Sequence, residues 1–303
     1  MLEYPNYKRR GLEERRAKSR DNMKVATVRL GEATRAARIE HDHVVLLEVA
    51  DVRALLDLGA DWRDYAARPG EVLALEDVSF APVVPRPEKI VVLGWNYASH
   101  VLERKAPMPV FPALFAKYWR ALIGAYDPIA MPDPEVAQRV DPEVELGVIV
   151  GRNLRGAGID EAENAIAGYM VCNDMSVRDW QRRSPFPMQG KTWEKMTPAG
   201  PWLVTPDEVD HARDLRVECL VDGELRQDSR TSDQIFSPAQ VVSYLSTILT
   251  LVPGDMLSMG TPSGVGDGRT PPIYLQPGQT VTTRIEGLGE CVNRALLGSE
   301  LSA

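Results

Sequence analysis

The clearest structural signal in the chain is the run Asp141-Pro142-Glu143-Val144-Glu145-Leu146-Gly147-Val148-Ile149-Val150-Gly151. Acidic and apolar residues alternate at its start, and the run then becomes wholly apolar up to the glycine. This pattern predicts a strand that enters a hydrophobic core, because strand side chains change face at every residue. Glu143 and Glu145 are two residues apart, so both carboxylates leave the same face. These like charges repel each other, and without a cation we expect the pKa of both groups to rise.

A third carboxylate follows the next apolar run. Asp174 comes directly after Asn173 at the end of that run, and precedes Ser176, which can cap a short helix. On such a helix Asp174, Arg178 and Gln181 would share one face. An aspartate at a strand end beside the glutamate pair would complete a site of three oxygen ligands, which suits Mg²⁺ or Mn²⁺. Zinc is not expected, since no cysteine or histidine lies at ligand spacing. Taken alone, the glutamate pair is more typical of a solvated strand edge.

Several motifs accompany these acids in a fixed order. They are Gly94-Trp95-Asn96-Tyr97-Ala98-Ser99-His100-Val101-Leu102-Glu103, the glutamate pair, Asn173-Asp174-Met175-Ser176-Val177-Arg178-Asp179-Trp180-Gln181, Gly190-Lys191-Thr192 and Gly260-Thr261-Pro262-Ser263-Gly264-Val265-Gly266. Together they resemble the motifs of the fumarylacetoacetate hydrolase superfamily, over about residues 85 to 297. No single motif would be specific, but the set in this order is.

The resemblance implies a role for each matching residue. It implies metal ligands at Glu143, Glu145 and Asp174, a catalytic dyad at His100 and Glu103, oxyanion-stabilising donors at Arg178 and Gln181, and a lysine beside the metal at Lys191. It also implies a homodimer. The residues themselves are compatible with a dyad, because positions three apart share one face of a helix and a carboxylate raises the basicity of a neighbouring imidazole. Taken alone, such a pair is more typical of a surface contact.

Two further residues are predicted to contact substrate. Lys117 ends an apolar strand-like run with a cation that could bind a substrate carboxylate, which we favour over the alternative that it is simply exposed. Thr261 lies in the glycine-rich segment, which lacks the lysine and spacing of a P-loop. We interpret that segment as a tight active-site loop.

Composition limits the classes of function. The chain has 303 residues, a formal net charge of −8 and a pI of about 5.2, which argue against a general nucleic-acid or membrane-surface binder. An anionic substrate would be attracted by local cations instead. Three scattered cysteines predict reduced thiols, and no apolar run is long enough to span a bilayer. We therefore expect a cytoplasmic protein.

The predicted fold class is α+β, with a small β-rich N-terminal domain before the catalytic domain. Ala81 to Pro87 contains three prolines and marks the boundary. We expect a charged extension at residues 1–22, which could be a helix, an arm or a tail, the small domain at 23–84 and the catalytic domain at 85–303. The architecture of the catalytic domain, a mixed and rolled β-sandwich, comes from the resemblance.

The predicted function is divalent-metal-dependent hydrolysis of a C–C bond in a small β-diketo or 2-oxo acid, of the acylpyruvate or fumarylpyruvate type. The alternative is an isomerase or decarboxylase of 2-hydroxy-diene-dioates or oxaloacetate, because all these reactions use metal-stabilised enolates. A different class of answer is a catalytically silent metal-binding protein. Substrate selectivity is expected in the loops around Lys105, Trp119 and Trp193, since Trp193-Glu194-Lys195-Met196 departs from the aspartate and aromatic of many relatives.

Overall fold

The computed structural model describes residues 23–301, and the extension predicted for residues 1–22 lies outside this range. Within it the protein is an α+β fold dominated by mixed β-sheets, as predicted. The strands are β1 Lys24–Leu30, β2 Ala33–Glu40, β3 His43–Leu46, β4 Val72–Ala74, β5 Ser79–Phe80, β6 Ile90–Gly94, β7 Ala113–Lys117, β8 Leu122–Ile123, β9 Ile129–Met131, β10 Val140–Asp141, β11 Val144–Val150, β12 Ile166–Asn173, β13 Ser176–Val177, β14 Thr197–Val204, β15 Arg216–Val221, β16 Glu224–Arg230, β17 Met256–Ser258, β18 Thr280–Ile285 and β19 Gly289–Leu297.

Short helices connect these strands. They are α1 Val52–Leu56, α2 Trp62–Ala66, α3 Ala98–Glu103, α4 Ile159–Glu163, α5 Arg178–Gln181, α6 Met188–Lys191 and α7 Pro238–Ile248. The last of these carries a capping box, in which the Ser237 side chain accepts from the backbone N–H of Gln240 while the Gln240 side chain accepts from the backbone N–H of Ser237. Within residues 23–301, no helix is long and apolar enough to cross a bilayer.

The central sheet has 12 strands, in the order β4-β3-β2-β1-β14-β12-β11-β17-β6-β7, with β5 beside β1 and β8 beside β14. Strand β11, the run first identified in the sequence, lies between β12 and β17 and is buried along its whole length. A second sheet has five strands, in the order β16-β15-β18-β19-β9. The largest hydrophobic cluster joins the two sheets, with Val148 and Leu146 of β11 and Val217 of β15 among its members.

The N-terminal strands continue the central sheet. Strand β1 pairs with β14 of the C-terminal part, where Lys24 lies opposite Val204. One hydrophobic cluster contains Val25 of β1 together with Ile149 of β11. The division into domains at residue 84 therefore stays a prediction, and its two sides share a sheet and a core.

A hairpin between β15 and β16 turns at Asp222 and Gly223, as the sequence predicts. Both residues have positive φ, +50° and +81°, which is the backbone conformation of the tight two-residue turn favoured by an Asp-Gly pair. This hairpin contributes a side chain to the neighbouring strand, since Gln227 accepts from the backbone N–H of Val144. It thereby fixes the start of β11, where the predicted metal ligands lie.

Candidate active site

Antiparallel pairing of β11 and β12 brings three carboxylates together. Val144 lies opposite Asn173, so the first residue of β11 and the last residue of β12 lie side by side. The backbone N–H of Asp174 donates to the carbonyl of Glu143 over 2.8 Å. As a result, Glu143, Glu145 and Asp174 each place a carboxylate oxygen within 4.8 Å of the others, and all three side chains are buried. We call these three residues the acid triad.

Three cations contact the acid triad. The Lys191 Nζ donates to Glu143 Oε2 over 2.6 Å and to Asp174 Oδ2 over 2.5 Å. The Lys117 Nζ donates to Asp174 Oδ1 over 2.5 Å, and the Arg178 Nη2 donates to Glu143 Oε1. Both lysines are almost fully buried. These hydrogen bonds from cationic donors fix the orientations of the Glu143 and Asp174 carboxylates.

Glu145 has a different environment. Its Oε2 accepts from the Ser258 hydroxyl over 2.5 Å and from the backbone N–H of Gly260 over 2.9 Å. Burial, together with the neighbouring Asp174 and Glu143 carboxylates, raises the pKa of Glu145 well above its usual range. Burial also opposes ionisation of Glu143, but Arg178 and Lys191 lower its pKa below the usual range. The rise in pKa that the sequence predicts for both glutamates therefore occurs at Glu145 and not at Glu143.

The chemistry of the acid triad fits a hard divalent cation. Its donors are carboxylate oxygens, which Mg²⁺ and Mn²⁺ prefer, and each oxygen has more than one lone pair to offer. Burial and the neighbouring Asp174 and Glu143 carboxylates raise the pKa of Glu145, and a bound cation would offset the repulsion among these carboxylates. Among residues 23–301, this is the group of acidic, histidine or cysteine side chains close enough together to hold a metal ion.

The predicted His100–Glu103 pair forms on helix α3. The His100 Nδ1 lies 3.0 Å from Glu103 Oε2. The other carboxylate oxygen, Glu103 Oε1, accepts from the backbone N–H of Gly264 over 2.8 Å. The indole of Trp95 stacks on the imidazole, with 5.3 Å between ring centroids and 22° between planes. The ring of His100 is thus held at its edge by a carboxylate and on one face by an aromatic, which leaves Nε2 for a substrate.

The segment after Asp174 differs in detail from the sequence-based prediction. Ser176 does not cap a helix: it lies in β13, and its hydroxyl donates to the carbonyl of Asp174. Helix α5 begins only at Arg178, so Asp174 does not share a helical face with Arg178 and Gln181. The side chains of Arg178 and Gln181 are nevertheless in contact, because Arg178 Nη1 donates to Gln181 Oε1 over 3.0 Å. A two-residue strand between the aspartate and the helix replaces the first turn that the sequence suggested.

Most of the predicted site residues face one cavity of about 460 Å³. Its lining includes His100, Glu143, Glu145, Asp174, Arg178, Gln181, Lys191 and Thr261. Glu103 and Lys117 do not belong to the lining and instead contact residues that do. The substrate contact expected of Lys117 stays a prediction, since its ammonium is directed at Asp174.

The backbone of the glycine-rich segment and of the residue after it donates hydrogen bonds to side-chain carboxylates of the protein. Gly264 donates to Glu103, and the N–H groups of Gly266 and Asp267 donate to the two carboxylate oxygens of Asp141. The hydroxyl of Thr261 donates to the carbonyl of Val144 over 2.9 Å and also faces the cavity. The loop therefore positions Glu103 and Asp141, and a substrate contact by Thr261 stays a prediction.

The sequence analysis missed part of the cavity wall. Arg104, Arg182 and Asp267 line the cavity, as does Trp95. Lys105, Trp119 and Trp193, named as centres of selectivity, are not in the lining, although Arg104 is the neighbour of Lys105. Charged residues in loops show no periodic pattern in the sequence. The one signal that could have pointed to Arg104 is its position directly after Glu103 of the dyad motif.

Comparison with known proteins agrees with this geometry. Residues 89–295 match the model of the fumarylacetoacetate hydrolase C-terminal family. The mitochondrial oxaloacetate tautomerase FAHD2B of Bos taurus is 40% identical over 227 residues, which are 74% of this chain and 72% of the relative.

Two solved structures extend the comparison. The 5-carboxymethyl-2-hydroxymuconate delta-isomerase of Mycobacterium smegmatis is 30% identical with a TM-score of 0.75, over 91% of this chain and 99% of the isomerase. The maleylpyruvate hydrolase of Sphingobium sp. SYK-6, solved with manganese(II) and pyruvate, is 26% identical with a TM-score of 0.75, over 91% of this chain and all (100%) of the hydrolase. Tautomerase, isomerase and hydrolase thus share this fold.

Proposed function

The chain belongs to the fumarylacetoacetate hydrolase family, and we propose that it is a divalent-metal-dependent enzyme that interconverts the keto and enol forms of a small 2-oxo acid of the oxaloacetate type. The observation that carries the proposal is one cavity of about 460 Å³ that contains both the acid triad and His100. The 40% identity to an oxaloacetate tautomerase supports this choice of reaction.

In this proposal Glu143, Glu145 and Asp174 hold Mg²⁺ or Mn²⁺. When bound, such a cation polarises the 2-oxo group and its carboxylate and so favours loss of a proton from the adjacent carbon. Lys191 and Lys117 keep the carboxylates of Glu143 and Asp174 in place, through contacts of 2.5 to 2.6 Å. Zinc is not expected, because the three ligands are all carboxylates.

His100 is proposed to move the proton. Its Nδ1 is engaged by Glu103, so Nε2 is the nitrogen available to remove a proton from the carbon beside the ketone. A proton is then added to the oxygen, and the product has the same atoms as the substrate. Arg178 and Lys191 can donate to the developing oxyanion, as can the Gln181 amide nitrogen, since the Gln181 Oε1 already accepts from Arg178.

C–C bond hydrolysis is the second candidate, and the His100–Glu103 pair is the observation that favours it. A base oriented by a carboxylate can deprotonate a water molecule as well as a carbon acid. The water oxygen would bond to the distal carbonyl carbon of an acylpyruvate, the C–C bond would break, and the products would be a carboxylic acid and pyruvate. The fold is shared with a maleylpyruvate hydrolase, which supports this candidate.

The test is a substrate panel with Mg²⁺ or with EDTA. Oxaloacetate, acylpyruvates, fumarylpyruvate and unsaturated hydroxy-dioates would be incubated with the protein, and products identified by mass and by the ultraviolet absorbance of the enol. We expect accelerated loss of enol absorbance without a change in mass, and we expect EDTA to abolish it. Pyruvate plus a carboxylic acid would establish the hydrolase instead, and release of CO₂ a decarboxylase. Turnover that is indifferent to EDTA would contradict the metal site.

We also infer a homodimer, as the family resemblance implies. Val110, Phe111 and Phe186 are exposed apolar side chains in the segments that flank the cavity, with 79%, 68% and 74% of their surface accessible. Exposed apolar surface is typical of regions that bind another protein, and Val110 and Phe111 are neighbours in the chain. Sedimentation equilibrium tests this inference, with the mass of two chains as the expected result and that of one chain as the contrary one. A cytoplasmic location stays an expectation from the sequence.

A further inference from the structure

Two arginines that the proposed reaction does not use face the same cavity as the acid triad. Arg104 follows helix α3, and Arg182 follows helix α5. Both are held by the buried carboxylate of Asp267 in the turn Gly266–Gly268. We call Arg104, Arg182 and Asp267 the arginine corner. All three residues line the cavity.

The arginine corner has more positive charge than its own carboxylate neutralises. The Arg104 Nη2 lies 3.0 Å from Asp267 Oδ2, and the Arg182 Nη2 donates to both carboxylate oxygens over 2.6 Å. The Tyr274 hydroxyl donates to Asp267 as well. Burial opposes ionisation of Asp267, but Tyr274 and the surrounding arginines lower its pKa, so it stays charged. Two guanidinium groups therefore share one carboxylate.

Unused donors remain on both arginines. Each guanidinium has five N–H groups. Within residues 23–301, the hydrogen bonds of Arg182 involve Nη2, and those of Arg104 involve Nη1 and Nη2. The Arg104 side chain is 31% accessible and the Arg182 side chain 49%, and both residues line the cavity. A carboxylate is the ligand that a planar guanidinium fork matches.

The arginine corner is close to the acid triad. Arg178 Nη2 contacts Glu143 Oε1 and lies 2.7 Å from Asp141 Oδ2, and the same Asp141 oxygen accepts from the backbone N–H of Asp267 over 3.0 Å. Three consecutive hydrogen bonds thus join the triad to the corner.

We propose that the arginine corner binds the second carboxylate of a dicarboxylic 2-oxo acid, while the acid triad side of the cavity receives its 2-oxo carboxylate end. The inference rests on the proposed function for the position of the 2-oxo end. It assigns to Arg104 and Arg182 the selection of diacids over monoacids. Without them the cavity still accepts a 2-oxo acid, but it no longer distinguishes a carboxylate from a methyl group at the far end.

The matched ligands for the test differ only at that end. Oxaloacetate and 2-oxobutanoate have the same chain length, as do 2-oxoglutarate and 2-oxopentanoate. Each would be titrated into the Mg²⁺-loaded protein in a calorimeter, with wild type, Arg104→Gln, Arg182→Gln and the double variant. Arg183→Gln is the control, because Arg183 is an exposed neighbour that packs over Trp180 and is not in the cavity lining.

The expected result is a loss of binding affinity that is confined to the diacids. Wild type should bind each diacid about tenfold to a hundredfold more tightly than its monoacid, the magnitude of hydrogen bonds to charged groups. The double variant should lose that preference while its affinity for the monoacids stays within about twofold, and the control should match wild type. Binding of the monoacids also shows that the variant is folded.

Other outcomes separate this inference from the proposed function. If diacid and monoacid affinities fall together, the arginines only hold the loop at Asp267, and the inference is overturned. An unchanged diacid preference in the double variant overturns it as well. If wild type binds diacids selectively but turns none of them over, the inference stands and the proposed function fails. If wild type binds none of the four ligands, both fail.

Discussion

The two walls of the cavity are built differently. The acid triad comes from adjacent strands in the middle of a 12-stranded sheet, and Glu145 is 1% accessible. A second wall, which we call the roof, is formed by Trp95, His100 and Arg104, together with Glu103, which contacts His100. A short helix and the turn before it carry these residues. Trp95 is 40% accessible, and its backbone has a positive φ of +60°.

This difference indicates which parts of the site can be changed without a large effect on the stability of the fold. The triad is fixed by strand register and by buried ion pairs, so a change there affects stability and cation binding together. The roof is carried by a short helix that is not part of the sheet, and it is attached by side-chain hydrogen bonds such as those from the Asn96 amide to the carbonyls of Phe236 and Met259. A change in the roof should therefore alter the chemistry and leave the cation and the core in place.

The largest effect is expected for Glu145→Gln. The amide cannot supply the negative charge that a cation needs, so we expect Mg²⁺ affinity and turnover each to fall about a thousandfold or more. Calorimetric titration with Mg²⁺ and a turnover assay measure the two quantities. Glu135→Gln, at an exposed position, is the control and should leave both unchanged. A variant that keeps its Mg²⁺ affinity would show that the triad does not bind the cation.

The next effect concerns stability. Lys117→Met removes the cation from a buried ion pair and leaves Asp174 partly uncompensated. We expect the free energy of unfolding without metal to fall by about 3–5 kcal/mol, measured by urea denaturation. Saturating Mg²⁺ should restore part of the loss, because the cation binds only the folded protein. The control Lys105→Met, at an exposed position, should change stability by less than about 0.5 kcal/mol. A Lys117→Met protein as stable as wild type would contradict the assignment of this wall as inseparable from the fold.

A smaller, pH-dependent effect is expected in the roof. Burial alone would raise the pKa of Glu103, but His100 and the Gly264 N–H lower it below the ordinary value of 4.5. Its carboxylate thus stabilises the fold above pH 4.5, and this contribution is lost as the pH falls through the lower pKa of the folded state. Glu103→Gln should cost about 1–2 kcal/mol at pH 7, and the difference from wild type should shrink towards pH 3. If the difference in the free energy of unfolding between wild type and Glu103→Gln grows as the pH falls, the Glu103 carboxylate does not stabilise the fold in this way.

The smallest effect is expected for Trp95→Leu. Loss of the ring stacked on His100 should lower kcat about threefold to tenfold, the range given by aromatic pair energies of roughly 0.5–1.5 kcal/mol. Trp95→Phe keeps an aromatic ring and should recover most of the rate. Mg²⁺ affinity should be the same in both variants. Equal losses in the leucine and phenylalanine variants would show that stacking does not matter.

Much of the triad wall could be predicted from the sequence, because strand side chains obey a strict alternation. The pattern around Glu143 and Glu145 predicts their common face, and the apolar run before Asp174 predicts a strand end. The superfamily resemblance supplied the fold and the family, and both are confirmed. His100 and Glu103 meet as predicted, since their spacing matches one helical turn.

The rest depended on contacts between distant segments. The helical face expected of Asp174, Arg178 and Gln181 does not form, because β10 pairs with β13 and delays the helix to Arg178. Nothing in the sequence near Asp267 indicates that two arginines meet it, one 163 residues away and one 85 residues away. Long-range ion pairs leave no periodic signal, so this wall of the cavity appears only in the structure.

The division of labour between the two walls is tested most directly by His100→Gln. Glutamine can occupy the space but cannot act as a base near neutral pH, and it leaves the acid triad untouched. Mn²⁺ binding followed by electron paramagnetic resonance should give an affinity within about twofold of wild type, while turnover of the substrate found in the panel should fall about a hundredfold to ten-thousandfold. Turnover at the wild-type rate, or a parallel loss of Mn²⁺ affinity, would contradict the account.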